Sequence, residues 1–130
     1  MELSITVILI IITVISSFYG FNNHSFIERW MFTPYKIKHQ KQWDRFILSG
    51  FIHKDYIHLL FNMFTFYFFG RVVEQFLAYQ LGSSLGGVVF VLFYILGIII
   101  ADIPTYLKHQ NNSYYRALGA SGGTAATVFS

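Results

Sequence analysis

Two stretches of the chain carry groups that could do chemistry. In GFIHKDYIHLLFNMF, Gly50 to Phe64, His58 and Asn62 interrupt a run that is otherwise Leu, Ile, Phe and Met. Lying four residues apart, they share one face of a helix, one turn above the other. In ALGASGGTAATVFS, Ala117 to Ser130, Ser121 stands among Gly119, Gly122 and Gly123. Glycines let another chain approach a hydroxyl closely, and the free N–H groups of a helix N-terminus favour developing negative charge, so the pattern suits a nucleophile. On residue types alone, His58 would then be the general base for Ser121. Each stretch also has a plainer reading. His58 and Asn62 would tie helices together by hydrogen bonds, and the Gly, Ala and Ser residues would simply let helices pack closely. The letters G-x-S-x-G match the nucleophile elbow of soluble hydrolases as well, but that elbow needs a strand, a sharp turn and a helix. No soluble parallel sheet can be drawn from this sequence. His53, five residues before His58, reads as structural.

The elements that must position these groups follow from composition. Of 130 residues, 55% are hydrophobic and only 12% charged, and the mean hydropathy is +0.51. That is too apolar for an ordinary soluble domain of this size, so a bilayer is the expected solvent. About 20 mostly apolar residues cross its hydrocarbon core as a helix. The runs are residues 3–19, free of charge and broken only by Ser and Thr; 56–78, which takes Arg71 and Glu74 into its second half; and 81–103, which Asp102 and Pro104 are expected to stop. A fourth begins at Ala117 and has room for about half a membrane, roughly 15 Å over the last ten residues. The expectation is a multi-pass, all-α bundle of which this chain is an N-terminal piece, cut within its fourth span. The first run could instead be a signal peptide, although no basic residue precedes it.

Residues 20–55 mix six of the nine Lys and Arg residues with Trp30, Trp43 and many Phe. Such a mixture suits the membrane interface, with rings at headgroup level and basic side chains reaching water. The positive-inside rule alone would make this loop cytoplasmic. If the first three runs span, it lies on the same side as residues 104–116, and His58 and Ser121 share a depth. Cysteine is absent, so thiolate metal sites and disulfides do not arise. The zinc signature H-E-x-x-H is missing too, and neither a metal nor a cofactor is expected.

Together these residues resemble the rhomboid family of intramembrane serine proteases. The resemblance rests on Trp43 and Arg45, Phe51 to His53, His58 to Met63, Gly70 with Glu74, and Tyr115 to Gly122. It implies Ser121 as nucleophile, with His58 and Asn62 as oxyanion donors rather than a base, and Gly119 as the backbone that keeps the approach open. It implies a first loop lying in the outer leaflet in contact with lipid, against the orientation that the lysine count suggests. The family's base is a histidine on a later helix, expected about 45 to 60 residues beyond Ser121, given two further spans of about 20 residues each. Without it this fragment would not hydrolyse a peptide bond. Relatives often carry an aromatic residue four positions after the nucleophile, where this chain has Ala125. The implied substrates are transmembrane segments of other proteins, cleaved in a cell (inner) membrane, with no nucleic acid involved. The alternatives are a catalytically inactive relative that binds membrane helices, or a transporter or channel fragment with His58 and Asn62 lining a pathway.

Overall fold

The computed structural model describes residues 4–117. Gly119 and Ser121, the expected site backbone and nucleophile, lie outside them, as does the fourth run beyond Ala117. The described residues are helical, in the order α1 (Ile5–Phe21), α2 (His24–Trp30), α3 (Pro34–Gln40), α4 (Arg45–Leu48), a 3-10 turn (Ser49–Phe51), α5 (Tyr56–Leu81) and α6 (Ser83–His109). Among them β structure is confined to an isolated bridge between Phe32 and Ala117.

α1 buries a narrow stripe of Thr6, Leu9, Thr13, Ser17 and Gly20, while Ile8, Ile11, Ile12, Ile15 and Phe18 face outward. Small and polar groups are inside and large apolar ones outside. In water that arrangement would expose costly apolar surface; in lipid it lets backbones approach while the isoleucines meet acyl chains. The inward hydroxyls do not go unsatisfied, since Thr13 Oγ1 donates to the Leu9 carbonyl at 2.7 Å. α1 starts two residues later than the run that predicts it because Ser4 caps it, its hydroxyl accepting from Val7 N.

The carboxylate of Glu74, on α5, closes that same end. One oxygen accepts from Ile5 N at 2.7 Å, and the other from Ser4 Oγ at 2.6 Å, Thr6 Oγ1 at 2.8 Å and Thr6 N at 3.2 Å. A negative charge at a helix N-terminus complements the dipole. The pairing fixes the register of α1 against α5.

α5 and α6 form a hairpin joined through Gly82, whose φ of +86° suits only glycine comfortably. Four residues after Gly82, a Cβ on Gly86 would stand 2.7 Å from the Leu77 carbonyl oxygen and 2.8 Å from Ala78 N. The hairpin closes because that atom is missing. α6 is the helix among the described residues that is both long and apolar enough to cross a membrane; α1 is apolar but has 17 residues.

The expected stop of the third run at Asp102 and Pro104 is not where the helix ends. α6 continues through Pro104 to His109, so residues 104–109 are helical rather than loop. A proline inside a helix costs about 3 kcal/mol through its missing N–H and ring clash. Packing on either side of it holds the helix together: Ile99 and Tyr106 both pack against the buried cluster Phe32, Ile37 and Phe46.

That cluster is the core of the first loop, residues 22–55, which folds as short helices with α3 and α4 lying on α6. Arg45 organises it. Only 1% exposed, it donates from Nη1 to the carbonyls of Glu28 at 2.9 Å and Met31 at 2.7 Å, and from Nε to Gln42 Oε1 at 2.7 Å. These carbonyls lie at the end of α2, where a cation is favoured. Burial, with the nearby charge of Arg29, lowers the proton affinity of the guanidinium, and Asp44 opposes the shift. Within the loop expected to contact lipid, the charge of Arg45 is taken up by backbone carbonyls that a short helix leaves unpaired. Trp43 is 53% exposed and remains available to the interface.

Candidate functional site

α5 brings His58 and Asn62 to the helix's first two turns and gives them different surroundings. Asp55 caps the helix: its Oδ1 accepts from His58 N at 2.9 Å and from His58 Nδ1 at 2.8 Å. These hydrogen bonds, the backbone one first, hold the Asp55 carboxyl below the usual carboxylate range. An ionised carboxylate can only accept, so Nδ1 of His58 carries a proton. Nε2 is then a lone pair in the neutral imidazole and a donor in the imidazolium. The His58 side chain is 52% exposed, at the mouth of the helix.

One turn deeper, Asn62 is buried at 6% exposure. Its Nδ2 lies 2.6 Å from Nε2 of His53, a residue 1% exposed between the 3-10 turn and α5. The other ring nitrogen, Nδ1, lies 3.1 Å from Ser17 Oγ on α1, and that hydroxyl donates to the Phe51 carbonyl at 3.3 Å. The neighbouring Ser16 hydroxyl also donates to Phe51 O. Burial, helped by the charge of His58, pushes His53 down to about 4, so the ring is neutral at physiological pH. His53 is buried, and its partner is one of the two expected donors. No local spacing reveals that contact, since the two residues are nine apart across a helix start. Asp55 had a visible signal, an Asp three residues before His58 at the mouth of an apolar run, which is a helix cap.

The segment leading toward Ser121 is held by the first loop. Phe32 N donates to Ala117 O at 2.8 Å, and Ala117 N donates to Phe32 O at 2.9 Å. Beside this bridge, Arg116 Nη1 lies 3.8 Å from Glu28 Oε1. Upstream, Tyr115 stacks on His109 with ring centroids 3.7 Å apart. The chain thus turns back from the end of α6 and is pinned to the loop four residues before Ser121. Among the described residues no cluster of His, Cys, Asp and Glu could hold a metal ion.

Comparison with known families matches the Rhomboid domain over residues 40–130. The matched region takes in α4, the 3-10 turn, α5, α6 and the residues from Gly119 to Ser121. No curated protein and no solved structure matches the chain.

Proposed function

The chain belongs to the rhomboid family, and from that premise we propose that it carries the nucleophile and two oxyanion donors of a multi-pass intramembrane serine endopeptidase. Ser121 Oγ attacks the carbonyl carbon of a peptide bond in a transmembrane segment, forming a C–O bond as the carbonyl electrons move onto oxygen. A histidine from a later part of the full-length protein takes the hydroxyl proton. Collapse breaks the C–N bond, the histidine returns the proton to the leaving amine, and water then hydrolyses the acyl-enzyme. Asn62 offers an N–H of Nδ2 to the oxyanion. His58 offers Nε2–H as an imidazolium, its charge balanced by Asp55. The backbone at Gly119 leaves the approach open.

The observation that carries this reading is the span of the family match, which includes both the His58 and Asn62 pair and the Gly119 to Gly122 segment. The outward isoleucines and phenylalanines of α1, α5 and α6 support the same reading by calling for lipid around the fold. The test is cleavage of a single-span membrane polypeptide co-reconstituted in liposomes with the full-length protein. Wild type is expected to cut in or at the edge of the span, and Asn62→Ala to cut about a hundred- to a thousand-fold more slowly while remaining folded. Binding of the polypeptide without a cut by wild type would instead indicate an inactive, helix-binding relative.

A further inference from the structure

We propose that His53 is a positioning residue for Asn62: it fixes which end of the carboxamide faces the reacting carbonyl. The inference rests on the reading of Asn62 as an oxyanion donor, and goes beyond it by assigning what orients that donor.

Protons are placed along a buried chain of hydrogen bonds. With the Ser17 hydroxyl proton assigned to the Phe51 carbonyl, the Ser17 oxygen accepts from His53. That placement assigns the ring proton to His53 Nδ1. In the neutral ring the lone pair falls on Nε2, and at 2.6 Å only the NH2 end of Asn62 can meet it. Turning the amide over would set Oδ1 against that lone pair, acceptor to acceptor, in a place where water cannot reach either group. One N–H of Asn62 is thus committed to His53, and the second is left with a defined direction. The anchor is rigid because both ends of the chain are fixed: Ser17 lies in the buried stripe of α1, and Phe51 O also receives Ser16. Helix α1, which touches no reacting group, thereby helps to aim a donor on α5.

The experiment measures the rate at which a fluorescent fluorophosphonate labels the serine of the full-length protein in detergent, resolved into the saturating rate and the half-saturating concentration. His53→Leu, which has no acceptor for the Asn62 N–H, is expected to lower the saturating rate about ten- to a hundred-fold with little change in half-saturation. His53→Gln, whose Oε1 can accept the same N–H, is expected to recover most of the rate. In an Asn62→Ala background, His53→Leu should cost less than about two-fold more, because the group it positions is gone. Losses that multiply, or a folded His53→Leu protein labelling at the wild-type rate, would overturn the proposal while leaving Asn62 as a donor. A wild-type rate for Asn62→Ala would overturn both readings together. A readout independent of variant folding comes from 15N NMR of histidine-labelled wild-type protein, with the His53 signal assigned through its loss in His53→Gln. The Nδ1–H tautomer is expected, and the Nε2–H tautomer would overturn the assignment.

Discussion

His53 shows how much a single buried ring can commit. A histidine buried in this way is held neutral, and the neutral form suits the Ser17 and Asn62 contacts, whereas a protonated ring would turn a second N–H toward the NH2 of Asn62. The sign of the pH dependence follows. In the unfolded chain the ring takes up a proton near 6.5, in the folded chain only near 4. Between those values the unfolded state binds more protons, so the stabilising contribution is fully present above about 6.5 and is lost as pH falls toward 4. The slope from this one group is at most about 1.4 kcal/mol per pH unit. Asp55, with its lowered carboxyl, adds acid sensitivity only below its ordinary range. Unfolding in detergent followed across pH 4 to 7 should therefore show a shallower acid loss for His53→Gln than for wild type. Equal slopes would remove His53 as its source.

At the scale of elements, the hairpin of α5 and α6 depends on a close approach that the sequence only hints at. Gly86 and Gly97 look alike on paper, two glycines in one apolar helix. In the structure a Cβ on Gly86 meets backbone of α5, and one on Gly97 meets nothing within 4 Å. Gly86→Val is expected to destabilise the protein by a few kcal/mol, since backbone cannot move aside as a side chain can. Gly97→Ala should be neutral or stabilising by up to about 1 kcal/mol, through the better helix propensity of alanine. Thermal unfolding of the two variants side by side checks the contrast, and similar midpoints would contradict it. The long helices were legible because apolar runs of that length leave few alternatives. The continuation of α6 past Pro104 was not, because it depends on Ile99 and Tyr106 meeting a cluster contributed by Phe32, Ile37 and Phe46, more than fifty residues earlier. The short helices of the first loop escaped for the same reason, since Arg45 holds the carbonyls at the end of α2 from fourteen and seventeen residues away. Spacing placed His58 and Asn62 on one helix, yet it could not foresee that burial separates them into a half-exposed imidazole and an enclosed amide.

As a whole, the molecule packs α1 through small and polar groups, keeps an apolar core at Phe32, Ile37 and Phe46, and turns large apolar side chains outward along its long helices. Thr6, Thr13, Ser17, Asn62 and Glu74 face other protein, while Ile15, Leu60, Phe69, Val72 and Phe93 face outward. Lipid is the surrounding that makes this inversion favourable, and the family match and the apolar length of α6 agree with it. Against that frame the first loop does two jobs: it lies on α6, and it pins the chain at Ala117 ahead of Ser121. The proposed chemistry needs Ser121 to be an activated nucleophile when the full-length protein is folded in a membrane. Fluorophosphonate labelling of wild type, Ser121→Ala and Ser113→Ala in native membranes tests that most directly. Label should appear in wild type and Ser113→Ala and vanish in Ser121→Ala; label of equal strength in all three would contradict the assignment of Ser121.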